Sequence, residues 1–127
     1  LNARICAAKC LAFHYSPGGE LTAIAALKAP GDQYRHDVFA IAGSPVSYTD
    51  VQTELGWIYV DPAFRRKQIA TMLCEQLLLR TTGNFVFATT RSDNTAMRRI
   101  LRACAFAEVG KPYMHRGEQL SLYLRPG

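Results

Sequence analysis

Glu54-Leu55-Gly56-Trp57-Ile58-Tyr59-Val60-Asp61-Pro62-Ala63-Phe64-Arg65-Arg66-Lys67-Gln68-Ile69-Ala70 is the stretch from which the rest of the chain can be read. Its first seven residues are rich in aromatic and β-branched side chains, which suit a pleated, half-buried surface and predict a central strand. Asp61-Pro62 ends that strand, because proline cannot donate to a ladder and restrains the residue before it. After a turn carrying Arg65, Arg66 and Lys67, the apolar residues Ile69, Met72, Leu73 and Leu77 recur at the spacing of one helical face. The pattern predicts a helix running to Arg80, before Thr82-Gly83-Asn84. A helix start carries backbone N–H groups without partners and the positive end of the macrodipole. Three cations beside it make a cradle for a polyanion, most naturally a diphosphate, whose successive oxygens adjacent amides can track. The competing reading is three cations on a solvated turn. A glycine-rich Walker loop is absent, which disfavours a P-loop nucleotide hydrolase.

Upstream of this junction, residues 10–15 and 21–27 read as two strands about the turn Ser16-Pro17-Gly18-Gly19. Residues 33–42 place Tyr34, Val38, Ile41 and Ala42 on one helical face, ended by Gly43-Ser44-Pro45. Residues 1–9 hold Leu1, Ile5 and Ala8 at helical spacing and read as the last turns of a helix. Downstream, residues 85–90 form a second apolar strand, and Ser92 or Asp93 can cap a helix whose stripe is Met97, Ile100, Leu101 and Cys104. Residues 106–109 and 119–124 finish the chain as strands, with residues 43–53 and 111–118 as loops. No linker, repeat or low-complexity tract interrupts this order, so one domain over residues 1–127 is expected. Helices alternating with strands argue for an α/β (α+β) mixed sheet.

Composition narrows the class. The 127 residues are 49% apolar, too many for a disordered chain, and 15 Lys+Arg against 10 Asp+Glu give a formal charge of +5. No run approaches the roughly 18 apolar residues a bilayer span needs, so no membrane partner is expected. Cys6, Cys10, Cys74 and Cys104 are scattered and read as reduced and mostly buried. A Cys-x-x-Cys pair is missing and His14, His36 and His115 stand far apart, so no metal is expected. The chain begins at Leu1 without an initiator Met or the makings of a signal peptide. It reads as starting inside a longer frame or after a removed segment, with the cytoplasm as its default location.

The central junction resembles the coenzyme A loop of the GNAT superfamily of N-acyltransferases, Gln/Arg-x-x-Gly-x-Gly/Ala after a strand and Val-x-Pro. Here it stands as Arg65-x-x-Gln68-x-Ala70 preceded by Val60-Asp61-Pro62. Downstream, Asn94, Ala96 and Ala105-Phe106 occupy the places of the family's Asn, Ala and Gly-Phe. The resemblance implies a mixed, mostly antiparallel sheet whose two central strands splay, with acetyl-CoA as co-substrate in the gap. The family's first strand and most of its first helical pair lack counterparts, so the N-terminal part reads as shortened. The resemblance further implies that the pantetheine arm pairs with the backbones of Ile58, Tyr59 and Val60. Amides of Arg66, Lys67, Gln68, Ile69 and Ala70 would hold the pyrophosphate, Arg65 would fix the loop or touch phosphate, and Asn94 would bond the pantetheine, its competing reading being a helix cap. Family habit adds a homodimer.

Three departures bear on activity. Gln68 and Ala105 stand where the family has glycine, and Leu101 stands where many members carry the tyrosine that protonates the departing thiolate. Direct acyl transfer needs a neutral amine, a donor to the thioester carbonyl and an acid for the thiolate. Glu54 is the candidate base, and Tyr59 and Tyr113 are the phenols able to supply a proton, with Tyr113 taken as the catalytic one. Cys74 and Cys104 have no base nearby in sequence and are read as packing thiols. Arg98, Arg99 and Arg102 form a second basic group, with Arg98 and Arg102 on one helical face, read as a solvated face that a phosphate of the coenzyme can neighbour. The leading expectation is N-acetyl transfer from acetyl-CoA to a primary amine of a small molecule or protein. Its rivals are a catalytically weak acyl-CoA sensor and a basic nucleic-acid-binding domain, the latter disfavoured because no RNA-binding aromatics interleave with the cations.

Overall fold

The structure, a computed structural model, describes residues 8–65 and 68–127. Six strands and three helices follow one another in chain order: β1 (Ala8–Tyr15), β2 (Leu21–Lys28), α1 (Asp32–Ala42), β3 (Thr53–Val60), α2 (Ile69–Leu78), β4 (Val86–Arg91), α3 (Thr95–Ala103), β5 (Ala107–His115) and β6 (Glu118–Arg125). The sheet order is β1-β2-β3-β4-β6-β5. Every neighbouring pair is antiparallel except β3 with β4, which is parallel. This is the mixed, mostly antiparallel sheet expected.

Strand alternation divides the core between two faces. On one, α2 and α3 cover Leu27, Leu55, Val86, Ala88 and Tyr123. On the other, α1 contributes Val38, Phe39 and Ala42 over Phe87, Leu122 and Leu124. Leu55 and Glu54 therefore look to opposite faces, as do Val86 and Phe87. Arg35, 6% exposed, ties α1 to the segment entering β3. Its Nη1 donates to the carbonyls of Tyr48 (2.6 Å) and Val51 (3.2 Å), and its Nη2 pairs with Asp32.

Several boundaries differ from those read in the sequence. Ala8 and Lys9 open β1 instead of closing a helix, and the remainder of that expected helix lies outside the described residues. Of the candidate caps for α3, Asn94 and not Ser92 or Asp93 takes the place, its Oδ1 accepting the Met97 N–H at 3.0 Å. β5 runs to His115, past the expected end at residue 109. A register break between Val109 and Tyr113 interrupts the alternation that would have betrayed it.

Ala105 stands just after α3 at φ 69°, in the left-handed region where the family pattern has glycine. A Cβ there costs roughly 1–2 kcal/mol, offset in part by the greater entropy glycine loses on folding, about 0.5–1 kcal/mol. Ala105→Gly should therefore stabilise the protein by about 0.5–1 kcal/mol, read as a higher urea midpoint at unchanged slope. A lower midpoint would mean that the methyl group is packed rather than strained.

Candidate functional site

β3 and β4 pair only at their starts, Thr53 with Val86 and Glu54 with Phe87; beyond that, β3 is held by β2 and β4 by β6. Just past the last shared pair, β3 carries a bulge. Ala26 faces Gly56 and Ile24 faces Tyr59, so Trp57 and Ile58 together stand opposite Ala25, and Trp57 has φ 50°. A bulge twists and bends its strand, here at the point where the two strands part.

A groove of about 860 Å³ lies beyond this point, along the end of β3. One wall is the end of β3, with Ile58, Tyr59 and Val60, continued by Arg65. Its floor is the first turn of α2, from Gln68 to Thr71, and its far wall is α3, with Asn94, Met97, Arg99 and Ile100. Eight of the ten residues proposed for the coenzyme thus line one groove; Arg66 and Lys67 lie outside the described residues.

Local hydrogen bonds set the shape of the loop. Asp61 donates its N–H to the Thr22 carbonyl (2.7 Å) and accepts from Ala63 N–H (2.9 Å), making a tight turn through Pro62. Arg65 folds back so that Nε donates to the Val60 carbonyl at 3.0 Å, tying the loop to the strand it has just left. Gln68 adopts φ 58°, the conformation for which glycine is usual, and its side chain makes no cap bond to α2. Met72 N–H to Gln68 carbonyl, at 3.1 Å, is an early bond of the helical ladder, and the amides of Ile69, Ala70 and Thr71 precede it without acceptors inside the helix. They stand at the groove, where an anion can take them up. Asn94 spends Oδ1 on its cap and keeps Nδ2 as a donor.

Arg99 also lines the groove, the one member of the second basic group to do so among its lining residues. Arg98 is not a solvated cation. Its guanidinium donates to Tyr123 Oη (2.9 Å), the Ser92 carbonyl (2.7 Å) and Glu108 (3.1 Å), bracing α3 on β5 and β6. Ala96 and Ala103, one turn either side of Arg99, share the groove wall and leave it open; that spacing was the signal available in the sequence.

Glu54 and Tyr113 lie away from the groove, on the sheet face covered by α1. Glu54 is 3% exposed, not the open strand-end carboxylate that its place in the sequence allowed. Lys28 Nζ stands 3.3 Å from Oε1, and Tyr34 donates its hydroxyl to Oε2 at 3.2 Å. Burial, then the Glu54 charge, pushes the Tyr34 phenol well above its ordinary pKa. Burial likewise pushes Tyr113 up to about 12, again with Glu54 adding to it. Both phenols are therefore proton donors at neutral pH. Tyr113 is 7% exposed, and its hydroxyl has no hydrogen-bond partner among the described residues.

Leu101, at the family's usual acid position, is 1% exposed in the core and contributes nothing to the groove. A hydrogen bond to Cys104, then burial, pushes the Cys74 thiol up, consistent with a packing role. Among the described residues no cluster of three His, Cys, Asp or Glu is placed to hold a metal, and no helix is long and apolar enough to cross a membrane.

Comparison with known proteins addresses the family and the fold. Residues 6–106 match the profile of the acetyltransferase (GNAT) family. No curated protein sequence matches the chain. Among solved structures, a GNAT-family acetyltransferase from Streptococcus agalactiae superposes with a TM-score of 0.69 at 18% identity, over 89% of this chain and 62% of its own. A phosphinothricin acetyltransferase from Sinorhizobium meliloti, solved with acetyl-CoA, gives 0.67 at 18% identity, over 91% and 60%. Ribosomal-protein-alanine N-acetyltransferase from Brucella melitensis gives 0.64 at 18%, over 92% and 68%. The chain thus spans less than two thirds of the first two of these proteins.

A buried hydroxyl without a partner is destabilising by about 1–3 kcal/mol relative to an apolar replacement of the same shape. Tyr113→Phe is therefore expected to raise the unfolding free energy by about 1 kcal/mol in chemical denaturation. A loss of stability would show that the hydroxyl is satisfied in the folded chain.

Proposed function

The chain belongs to the GNAT acetyltransferase family, and on that premise we propose that it transfers an acetyl group from acetyl-CoA directly to a primary amine of a small molecule or protein in the cytoplasm. The observation that carries this reading is the convergence of the strand end, the Arg65 loop, the first turn of α2 and Asn94 on one groove. In this reading the backbones of Ile58, Tyr59 and Val60 pair with the pantetheine arm, and Asn94 Nδ2 donates to it. The amides from Arg66 to Ala70 take the pyrophosphate, with Lys67 and Arg99 adding charge. Arg65 acts mainly by holding the loop against Val60.

The amine comes from the other side of the split. Glu54 accepts its proton, and Tyr113 supplies a hydrogen bond or proton as the thiolate departs. In this reading Glu54 is the base and Tyr113, whose phenol stays protonated at neutral pH, is the acid, the pairing that acid and base chemistry requires. Removing a positioned base costs about 10²-fold or more in rate. A second reading, an acyl-CoA sensor, is favoured by the burial of Leu101 where an acid is usual.

Acetyl-CoA at a hundredfold over its Kd should stabilise the fold by about 2.7 kcal/mol, seen as a rise in Tm. Arg65→Ala with Lys67→Ala should shrink that rise. Thiol release across a panel of amines, slowed about 10²-fold by Glu54→Gln, is expected for the enzyme. A Tm rise without thiol release would favour the sensor, and no rise at millimolar coenzyme would overturn both. Steeply salt-dependent retention on nucleic acid, indifferent to acetyl-CoA, would point to the basic-surface alternative.

A further inference from the structure

An alkyl amine of the chain itself already stands at the proposed catalytic carboxylate. Lys28 and Glu54 are directly opposed in the β2–β3 register, so their side chains share one sheet face, the face covered by α1. Lys28 Nζ lies 3.3 Å from Glu54 Oε1, with its side chain 18% exposed. The ammonium also sits 5.4 Å from the centroid of the Trp57 ring, a cation–π distance. Its position depends on Gly56. A Cβ on that residue would meet Lys28 Cε at 2.8 Å and Nζ at 2.9 Å, so only the bare backbone lets the lysine lie flat. Gly56 immediately precedes the bulge, and the groove wall begins two residues later at Ile58. The Tyr113 hydroxyl, without a hydrogen-bond partner among the described residues, belongs to the same neighbourhood, since the Glu54 charge acts on it.

We propose that Lys28 is an acetylation site of this protein, modified in cis by acetyl-CoA bound in its own groove. This rests on the acetyl-transfer reading above and adds an acceptor to it. Glu54 takes one proton from the Lys28 ammonium and passes it to solvent. The freed lone pair of Nζ attacks the thioester carbonyl carbon, the N–C bond forms and the C–S bond breaks with its electron pair on sulfur. The second proton leaving nitrogen goes to that sulfur, so the products are an acetylated Lys28 and coenzyme A thiol. Acetylation removes the cation from Glu54 and leaves a neutral amide over Gly56 and Trp57. An external amine must displace Lys28 from Glu54, and the site is thereby suited to cationic primary alkyl amines.

The test is to incubate the purified protein with acetyl-CoA and follow intact mass and peptide maps. One added acetyl group at Lys28 is expected, at a rate per molecule that does not change with protein concentration. Lys28→Arg should abolish it while keeping the positive charge, and Glu54→Gln should slow it about 10²-fold. Heat-denatured protein should remain unmodified. An unmodified Lys28 in protein that binds acetyl-CoA and acetylates an added amine would overturn the proposal and leave the acetyl-transfer reading intact. Acetyl groups spread over surface lysines and indifferent to Glu54→Gln would overturn it as chemical background. Failure to bind acetyl-CoA at all would overturn both.

Discussion

The separation of β3 from β4 is the constraint on which the rest of this structure depends. Two parallel strands that pair at Thr53 and Glu54 and then part leave the end of β3 without a sheet neighbour on that side. Such a break is normally a loss, because each unmade ladder bond leaves polar groups to be satisfied elsewhere. Here β2 and β6 hold the two halves of the sheet independently, so the sheet persists across the gap. The bulge at Trp57 bends β3 where the strands diverge, and it carries a non-glycine residue at positive φ. Backbone conformations of this kind persist where the surrounding structure over-determines them.

From that break the two sides of the site take different characters. The α2–α3 side collects backbone donors, Arg65, Arg99 and Asn94 around an open groove, an environment for a long anionic ligand. The α1 side collects a buried carboxylate, two phenols held protonated and a lysine. A reaction that brings a phosphate-bearing donor to an amine needs this segregation, because phosphates placed beside Glu54 would repel it. Glu54 is oriented by Lys28 and Tyr34, each from a different element, so its geometry depends on α1 packing as well as on β3. Arg35 contributes to that packing by joining α1 to the segment that leads into β3.

The departures from the family pattern also acquire a physical sense. Gln68 and Ala105 both occupy positions where the backbone turns left-handed, at φ 58° and 69°. The chain keeps the conformation and carries the strain instead of changing the turn. Leu101 is different. It has become a core residue, and proton donation passes in our reading to Tyr113 on β5.

The family resemblance supplied the groove residues Ile58, Tyr59, Val60, Arg65, Gln68, Ile69, Ala70 and Asn94, whereas local pattern was enough for the central strand, the three helices within the described residues and the turn at Asp61-Pro62. Each of these rests on neighbours within a few positions along the chain, which is the range over which periodicity, proline and capping act. The sequence could not show that Glu54 is buried, because Tyr34 lies twenty residues upstream and Lys28 reaches Glu54 only through the β2–β3 register. Nor could it show that Arg98 is paired, since its Tyr123 and Glu108 partners come from strands that follow. The amino acids alone determined which residues could form a polyanion cradle and on which elements they sit. Only the tertiary structure decided which charges meet, because burial and cross-strand pairing depend on the register of strands distant in sequence.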